Sequence, residues 1–591
     1  MKAAPTMRDS GSPASLAARN TRDRVSAVLS YAVLIGGIVT IGVSVYLVVL
    51  TYSSLPYVDG WDEVGAAAHG SSQLDPAWLW PQHSEHRLVV SKLFLAADLR
   101  FFRAQQIFLL VSIFLIQFLH WLLLGWSMRA LGGWRGAVWR TGLGLAAFCL
   151  FCPTQWENFV WGFQVCFVLP GLFASLSFIA LLVYWNDSCL PRLRHSWTPL
   201  LVANLAALAA SYSLANGNLL WPILIAAAIL LRLRPQALLS FVITGAISTT
   251  LYLTHYIRPP WHANPLSSIA TPVKLAEYWT GYLGSPWFRW GLHLAAPLGL
   301  AALLAALAVV LGFRYYMRTH RAFAIQLALT LLFCAGTAFI TALGRLNFGP
   351  QQSFASRYQT IALLFWCCFG LMALLFAAES YRARNLLIAF QICLLLVMSR
   401  GAVRAHFPIE NARLHGFRLH QVTTSLLTGV DDDENFLLAL GQTPGQIEPQ
   451  VRYLRRKRLS VFSSEAYRQL DMPLKSVFTI VAPQQCRGRL ESATPLSSAQ
   501  SLAISGWAWD DQHQRPPLRI VVTANGVITG LAAVGAERAE VRAADPGVRS
   551  DFTGFAGYVR DAWPSTPLKI YAVLSEDSPE ACQIATTQSP P

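Results

Sequence analysis

Eleven apolar segments separated by more polar loops are the feature of this sequence that most limits the folds open to it. A helix needs roughly 20 predominantly apolar residues to cross a hydrocarbon core of about 30 Å. The segments that meet or approach this length are 26–50, 105–127, 141–155, 162–184, 198–214, 219–231, 237–257, 291–312, 322–343, 358–378 and 386–400. The third, fifth and sixth are short, which leaves their ends open and allows two of them to be re-entrant. The pattern predicts a polytopic membrane protein.

The composition excludes several other classes of protein. Only 13% of the 591 residues are charged and 54% are hydrophobic, whereas a soluble domain carries about 25% charged residues. A wholly soluble enzyme, a disordered chain and a small disulfide scaffold are therefore excluded. The first segment begins late and ends in Leu50-Thr51-Tyr52 without a small-residue cleavage pattern. We expect it to remain as a membrane anchor rather than to be removed as a signal peptide.

The positions of Lys and Arg predict how the chain is oriented. Most of the formal net charge of +15 falls on the N-terminal tail and on the loops near 128–140, 185–198, 232–236, 313–321 and 379–385. Short basic loops stay on the cytoplasmic side of a membrane. We therefore expect a cytoplasmic N-terminus and, with an odd number of spans, a C-terminal region on the outside. Because topology accounts for the positive charge, we expect no nucleic-acid partner.

Four regions follow from these patterns. They are a cytoplasmic tail at 1–25, a transmembrane domain at 26–400, a juxtamembrane helical linker at 401–475 and a periplasmic β-sandwich domain at 476–591. The basic run at 455–458 is either a solvated helix face or a contact for anionic lipid headgroups or an anionic glycan. In the last region, Asn525-Gly526 predicts a tight hairpin because both turn positions need positive φ. The predicted fold is thus a polytopic α-helical membrane protein of about eleven spans with a C-terminal extracytoplasmic all-β sandwich.

Cysteine placement agrees with this division of the chain. Eight of the ten cysteines lie in or beside the apolar segments, where cysteine behaves as a small apolar residue. The other two, Cys486 and Cys582, bracket the β domain on its first and last strands. Because that domain is expected in an oxidising compartment, we predict that they form a disulfide.

Motifs for two common classes of membrane enzyme are missing from the sequence. It contains neither G-x-x-x-x-G-K-[ST] nor H-E-x-x-H, which argues against a P-loop ATPase and against a zincin. The apolar segments also carry almost no ionisable side chains. Ion-coupled transporters usually need such groups inside the membrane, so a transporter of that kind is disfavoured.

Polar residues collect instead at the ends of the segments that face outwards. The first outer loop is the richest, with the acids Asp59, Asp62 and Glu63 followed by His83, Glu85, His86 and Arg87. Candidates at later outer ends are Glu157, Asn158, Asn216, His255, Arg258, Arg345, Arg357 and Tyr358. Carboxylates and histidines can supply a general base and ligands for phosphate or sugar. The Trp and Tyr residues beside them are typical both of carbohydrate sites and of membrane interfaces.

A long first outer loop that opens with Asp62-Glu63 directly after the first span resembles the GT-C class of integral-membrane glycosyltransferases. The many spans and the outer C-terminal domain strengthen the resemblance, which is closest to the lipid A aminoarabinose and protein mannosyl transferase branches. The segment at 82–87, Gln-His-Ser-Glu-His-Arg, replaces the Lys-Pro-Pro type segment of those branches, so donor and acceptor stay open. The stretch at 505–510, with Gly554-Phe555, resembles small β-sandwich modules of bacterial polysaccharide-related proteins.

The resemblance implies transfer of a sugar from a polyprenyl-phosphate donor to a cell-envelope glycan, lipid or protein on the outer face of a bacterial inner membrane. One carboxylate would take the proton of the acceptor hydroxyl, and cations would bind the departing phosphate. We predict Asp62 as the base, with Glu63 orienting the acceptor or a neighbouring His and Asp59 as the alternative base. The predicted phosphate ligands are Arg258, Arg345 and Arg357, since Arg binds phosphate in a bidentate fork.

Several alternatives stay open at this point. The chain could be a transporter or flippase of a lipid-linked saccharide, or a non-catalytic assembly protein whose β domain binds glycans. The group His83, Glu85 and His86 serves either as a structural hydrogen-bond network or directly in the site. Some members of the GT-C class bind a divalent metal near the acid pair, so a metal ion is an open question here, and no other cofactor is expected.

Overall fold

The computed structural model describes residues 13–69, 76–188, 197–290, 292–316, 320–379, 383–404, 406–496, 500–577 and 579–587. Its first helices are α1 (Pro13–Thr51), α2 (Asp59–His69), α3 (Pro76–Leu79), α4 (Val89–Phe101), α5 (Ile107–Ala130), α6 (Gly136–Leu150), α7 (Trp156–Val160), α8 (Val165–Ser188), α9 (Thr198–Ser211), α10 (Leu220–Leu230) and α11 (Pro235–Leu253). The predicted tail up to residue 12, Cys189 and parts of three basic loops lie outside the described residues.

The remaining helices lead from the membrane part towards the C-terminal domain. They are α12 (Pro265–Ile269), α13 (Pro272–Gly284), α14 (Leu292–Tyr316), α15 (Arg321–Arg345), α16 (Gln359–Glu379), α17 (Ala383–Arg404), α18 (His406–Thr428), α19 (Asp433–Leu440), α20 (Pro444–Lys457), α21 (Glu465–Gln469) and α22 (Leu474–Val477). A last short helix, α23 (Ala539–Ala544), lies within the C-terminal domain.

Within the described residues, eight helical stretches are long and apolar enough to cross a membrane. They are Asn20–Thr51, Ile107–Ala130, Gly136–Val160, Gly162–Asn186, Pro235–Leu253, Arg321–Phe348, Ser356–Ala378 and Arg384–Thr428. A pair of helices bent by 113°, Pro272–Phe288 with His293–Val309, would make a ninth span. The chain therefore has the multi-pass helical architecture that the apolar segments predict.

The count of eleven spans is not reached. The predicted fifth and sixth segments form the shorter apolar helices Thr198–Ser211 and Ala215–Leu230. At 1.5 Å per residue these are roughly 20–25 Å long, less than the hydrocarbon core of about 30 Å. All eleven segments are helical, but length supports eight or nine complete spans among the described residues.

Small residues bring the first helix close to its neighbour. A Cβ atom on Gly144 of α6 would stand 2.5 Å from the carbonyl oxygen of Val33 on α1, and one on Gly37 would stand 2.6 Å from the carbonyl oxygen of Gly144. Close backbone approach through small residues is how helices associate in membranes, where dispersion rather than hydrophobic burial drives packing. This contact fixes α1 against α6. The chain then continues from α1 to the acidic helix α2.

The C-terminal domain is a single eight-stranded sheet rather than the predicted sandwich. Its strands are β1 (Thr479–Ile480), β2 (Cys486–Pro495), β3 (Ser501–Asp510), β4 (Arg519–Ala524), β5 (Val527–Ala536), β6 (Gly554–Arg560), β7 (Leu568–Ser575) and β8 (Glu580–Thr586). They hydrogen-bond in the order β1-β8-β7-β4-β5-β6-β3-β2. We call this curled sheet the half-barrel.

The burial of the strands explains why a sandwich was the wrong prediction. On one face, Ile520 and Val559 belong to a core that the sheet encloses as it curls. On the other face, Val521 and Val573 belong to a core shared with helices. Strand β4 is therefore buried at almost every position. The sequence predicts the strands, but it does not reveal that helices rather than a second sheet cover the other face. The predicted hairpin is present between β4 and β5, with positive φ at Asn525 and Gly526.

A disulfide between Cys486 and Cys582 joins β2 to β8, across the gap between the two sides of the half-barrel. We expect the double substitution Cys486→Ser/Cys582→Ser to lower the free energy of unfolding of this domain by about 2–5 kcal/mol. The reason is that the bond closes a loop with a sequence separation of 96, which restricts the unfolded chain. Pulse proteolysis of the detergent-extracted chain in urea measures the change.

The matched control for the disulfide is Cys393→Ser, which removes an exposed free thiol and should leave the resistance to proteolysis unchanged. Non-reducing peptide mapping gives a second readout, in which the peptides that carry Cys486 and Cys582 should stay linked. Detection of both thiols in the free state in membrane-extracted protein would contradict the pairing.

The predicted linker at 401–475 is helical, and one side of it is buried against the C-terminal domain. Leu419 and Val422 of α18 are buried at 4% and 0% exposure, and α18 packs on strands β5 and β6. At the start of α19, the hydroxyl of Tyr558 donates to the N-cap residue Asp432 over 2.6 Å. Trp61 of α2 lies in the same core as Leu454 of α20 and Val521 of β4. Helices α18–α22 therefore form a layer that joins the half-barrel to the acidic helix α2.

Candidate functional site

A cavity of about 590 Å³ lies at the end of the helix bundle where α2 packs. Its wall includes nine of the residues that the sequence predicts for the site: Asp59, Asp62, His83, Glu85, His86, Asn216, Arg345, Arg357 and Tyr358. These side chains come from the start of α2, the loop between α3 and α4, the loop after α9 and the segment that connects α15 to α16. Folding therefore brings together polar groups that are far apart in the chain.

The acidic side of the cavity comes from the first turn of α2. Asp59 and Asp62 are three positions apart and so share one face of the helix, and both contribute to the cavity wall. Glu63 is turned away by about 100° and is buried at 3% exposure. Desolvation raises the pKa of Asp59 and of Asp62, although the nearby His83 opposes the shift. A carboxylate with a raised pKa is a stronger proton acceptor once ionised.

Glu63 connects the acidic helix to the first outer loop. Its Oε1 lies 3.2 Å from Nδ1 of His83, and its Oε2 lies 3.6 Å from Nζ of Lys92. Burial alone would lower the pKa of His83, but the hydrogen bond to Glu63 and the nearby acids outweigh it and raise the pKa. Glu63 thus orients a neighbouring histidine, one of the two tasks proposed for it from the sequence.

Sequence reasoning missed Lys92. It is buried at 3% exposure on α4, and its ammonium group also donates to the carbonyl oxygens of Trp78 and Pro81 over 3.1 and 3.3 Å. It therefore holds both Glu63 and the loop that carries His83. The signal was available, because Lys92 is the one charged residue in the apolar run 88–97.

The basic part of the cavity wall is formed by Arg345 and Arg357. Arg345 and Arg357 lie at the ends of the chain segment that connects α15 to α16, and both add to the electrostatic environment of Asp59. Nη2 of Arg345 lies 2.6 Å from Oε1 of Glu85. The guanidinium of Arg357 has no carboxylate within ion-pair distance in the described part of the chain. Glu157 acts on this guanidinium electrostatically and Tyr358 hydrogen-bonds to it, but no direct ion pair with a described carboxylate occupies it, so it can still bind an anionic ligand.

Glu157 and Asn158 support Arg357 from the neighbouring segment. The backbone N–H of Arg357 donates to Oε2 of Glu157 over 3.1 Å. The side-chain amide of Asn158 donates to the carbonyl oxygen of Arg357 over 3.0 Å and to the hydroxyl of Thr360 over 2.7 Å. These two predicted residues therefore position the arginine.

Glu85 is the centre of a second charged cluster. Its carboxylate accepts from Arg345, lies 3.1 Å from Nε2 of His262 and lies 3.4 Å from Nε2 of His86. Burial would raise the pKa of Glu85, but the neighbouring His86, His262 and Arg345 side chains hold it well below its ordinary value. Burial lowers the pKa of His86 to about 4, and its Nδ1 accepts from the backbone N–H of Ala215 over 3.2 Å. Glu85 is therefore a fixed counter-charge rather than a base.

Six predicted residues do not line the cavity: Glu63, Glu157 and Asn158, which support residues in the wall, and Arg87, His255 and Arg258. Arg87 is buried at 3% exposure, and its guanidinium donates to backbone carbonyl oxygens of Trp80, Tyr252 and Thr254. It fastens the first loop to the end of α11. His255 and Arg258 are exposed in the loop that follows α11, outside the cavity wall.

In place of His255 and Arg258, the same loop contributes Trp261 and His262 to the cavity. Two hydrogen bonds between the Gln82 amide and the backbone of Ile257, of 2.6 and 3.1 Å, fix the loop against the first outer loop. The sequence shows that this loop carries polar residues, but only its path in the fold selects the ones that face inwards.

Asp59, Asp62 and His83 could also hold a metal ion. Each offers one ligand atom, and these atoms lie within 4.8 Å of one another. Carboxylate and imidazole ligands suit ions such as Zn²⁺ or Mn²⁺, and the Glu63–His83 contact is the usual outer-shell support of a metal-binding histidine. The donor set therefore fits the divalent metal that the sequence left open. Such an ion would supply Lewis-acid activation of a bound hydroxyl.

Aromatic rings complete the wall between the acidic and basic sides. Trp161 and Phe163 are buried and stacked with ring centroids 5.7 Å apart, and Tyr358 stacks on Tyr282 at 5.2 Å. The cavity thus offers proton acceptors, cations that are able to bind phosphate, and apolar ring faces. No protein-family model and no curated protein matches the chain.

Proposed function

We propose that the chain is an integral-membrane glycosyltransferase that uses a polyprenyl-phosphate sugar as donor and a cell-envelope glycan, lipid or protein as acceptor. The observation that supports this function best is the single cavity whose wall contains both the carboxylates of Asp59 and Asp62 and the guanidinium groups of Arg345 and Arg357. A transfer between two substrates needs a base for one and a cationic site for the other, and this arrangement provides both in one space.

In the proposed reaction, the donor phosphate binds at Arg357 and Arg345 and the acceptor hydroxyl binds at Asp62. The acceptor oxygen forms a bond to the anomeric carbon while the bond from that carbon to the phosphate oxygen breaks. The proton passes to Asp62, and polyprenyl phosphate leaves with its negative charge stabilised by the arginines. No further reactant is required.

The lipid tail of such a donor would remain in the membrane. The surface beside the cavity is apolar and could contact that tail. Ile257, Leu266 and Ile269 are exposed at 75%, 75% and 54% in the loop and helix around Trp261. Apolar side chains with a neighbouring Trp are typical of the interface between lipid and water. The proposed location is the outer face of a bacterial inner membrane, with the half-barrel in the periplasm.

Reporter fusions test the orientation. Fusions after Arg135, Arg192 and Arg318 should report the cytoplasm, because these arginines lie in the basic loops that stay inside. Fusions after Arg357 and Ser464 should report the periplasm. Alkaline phosphatase and green fluorescent protein at the same positions give opposite signals and serve as mutual controls. A periplasmic signal from the first three positions would reverse the assignment.

The direct test of the function is a sugar-transfer assay. Membranes that contain the chain are supplied with a polyprenyl-phosphate pool carrying radiolabelled sugar, and the label is followed into the cell-envelope fraction. Transfer above that of membranes without the chain supports the proposal. Movement of labelled lipid across the membrane without any transfer would favour a flippase instead, and neither movement nor transfer would favour a non-catalytic assembly protein.

A further inference from the structure

The side-chain amide of one residue in the cavity wall, Gln164, lacks hydrogen-bond partners in the described part of the chain. Gln164 ends a short 3-10 turn, Gly162–Gln164, and has 0% exposure. Neither its Oε1 nor its Nε2 has a hydrogen-bond partner among the described residues. An amide buried without partners costs the desolvation of both groups, so an unsatisfied glutamine in the wall of a cavity indicates a ligand that supplies the missing bonds.

Asn216 adds to this observation from a different part of the chain. It lies in the same cavity wall with 6% exposure. Its Nδ2 lies 3.4 Å from the hydroxyl of Thr337, whereas its Oδ1 has no partner among the described residues. Two side-chain amides of one cavity therefore present three unpaired polar atoms.

Close packing of the turn that carries Gln164 fixes the position of this residue. A Cβ on the neighbouring Gly162 would stand 2.5 Å from Oε1 of Gln106 and 2.9 Å from Leu109, so the turn is packed tightly against α5. The rings of Trp161 and Phe163 stack directly before it in the chain. The amide and both rings belong to the same cavity wall, a combination that suits a ring with hydroxyls at its edge and C–H groups on its face.

We propose that Gln164, assisted by Asn216, determines which sugar the enzyme transfers, by binding two neighbouring hydroxyls of a neutral hexose. One hydroxyl donates to Oε1 of Gln164, and the other accepts from Nε2. The unpaired Oδ1 of Asn216 accepts from a third hydroxyl or from one of these two. The inference rests on the proposed function and adds the class of sugar to it. A uronic acid is disfavoured because its carboxylate would meet acceptor oxygens.

The test measures what the sugar adds to binding. The full chain in nanodiscs is titrated with two probes, a short isoprenyl phosphate and the same isoprenyl phosphate carrying a neutral hexose (glucose, mannose and galactose in turn). The ratio of the two Kd values is the affinity gained from the sugar. We expect at least one hexose to gain about tenfold or more in the unmodified protein, as two to three hydrogen bonds provide.

Gln164→Met keeps the size of the side chain and removes both amide atoms, so we expect the hexose gain to fall by about 5–20-fold. Affinity for the bare isoprenyl phosphate should stay within about twofold. Gln164→Ala provides a second variant if the first one fails to fold. The matched control is Gln326→Met, since Gln326 has 0% exposure and an unpaired amide but lies outside the cavity wall.

The outcomes separate the subsite from the function. If the Gln164 variants keep the affinity gained from the hexose, the subsite proposal is overturned. It is also overturned if Gln326→Met loses as much of this affinity as the Gln164 variants do. In both cases, binding of the isoprenyl phosphate would still support the proposed function. Hexose that adds no affinity to the unmodified protein also overturns the subsite proposal. If the bare isoprenyl phosphate does not bind the unmodified protein at all, both the proposed function and the subsite that rests on it are overturned.

Discussion

We expect Asp62→Asn to lower sugar transfer by about 10²–10⁴-fold, the usual contribution of a general base. The substitution keeps the shape of the side chain and removes its negative charge, so the acceptor hydroxyl loses its proton acceptor. Asp62 is exposed, whereas Asp59 is half-buried and is influenced by the charges of Arg345 and Arg357. Initial rates with a labelled polyprenyl-phosphate sugar measure the effect.

The comparison variants divide the possible roles among the three acids. Glu63→Gln should reduce transfer less than Asp62→Asn, because Glu63 acts through His83 rather than on the acceptor. Glu434→Gln is the matched control on an exposed helix turn and should transfer normally. Near-normal transfer by Asp62→Asn together with loss in Asp59→Asn would move the base to Asp59. If none of the three acid variants changes the cell's glycan, the glycosyltransferase proposal should be abandoned.

Chelation distinguishes a base from a metal ligand within the same acidic group. If Asp59, Asp62 and His83 hold an ion, dialysis against EDTA should abolish transfer, and Zn²⁺ or Mn²⁺ should restore it. If Asp62 acts only as a proton acceptor, EDTA should leave the rate unchanged. Either result is compatible with the loss of transfer in Asp62→Asn, so the two experiments are informative together.

The second large effect is expected at the basic side of the cavity. Arg357→Ala should lower transfer by about 10²–10³-fold. Removal of one group that stabilises developing negative charge has an effect of this size in other enzymes. No described carboxylate pairs with this guanidinium, so its charge is available to the departing phosphate. The loss should also appear as a weaker Kd for isoprenyl phosphate.

Arg258→Ala is the control for Arg357→Ala. Both arginines follow a long helix, but Arg258 is exposed and lies outside the cavity wall, so its removal should change transfer by no more than about twofold. Arg357→Lys keeps a positive charge without the planar fork, so its transfer rate should lie between those of Arg357→Ala and Arg258→Ala. Unchanged affinity for isoprenyl phosphate in Arg357→Ala would leave this residue with a purely structural role at the membrane interface.

The acidic helix also depends on the C-terminal part of the chain. Trp61 of α2, Leu454 of α20 and Val521 of the half-barrel lie in one core. The half-barrel is therefore not a module on a flexible tether, and damage to its packing should reach Asp59 and Asp62 through α18–α22. This coupling follows from buried contacts between segments that the sequence analysis had assigned to separate regions.

Several features could be predicted from the sequence because they depend on local rules. The length of the apolar segments predicts helices that are able to cross a membrane, and all eleven are helical. Asn525-Gly526 predicts the hairpin between β4 and β5 through the φ angles that these residues tolerate. The placement of Cys486 and Cys582 at the two ends of the β domain predicts the pair that the structure joins.

Only the tertiary structure decided which polar residues meet. It turned Asp62 towards the cavity and Glu63 towards His83, and it left Arg258 outside while it brought in His262. It also showed Gln164 as an unsatisfied amide. The physical reason is the same for each residue. Apolar length and turn conformation are set within a few neighbouring residues, whereas the neighbours of a side chain in the cavity depend on how helices far apart in the chain pack against one another.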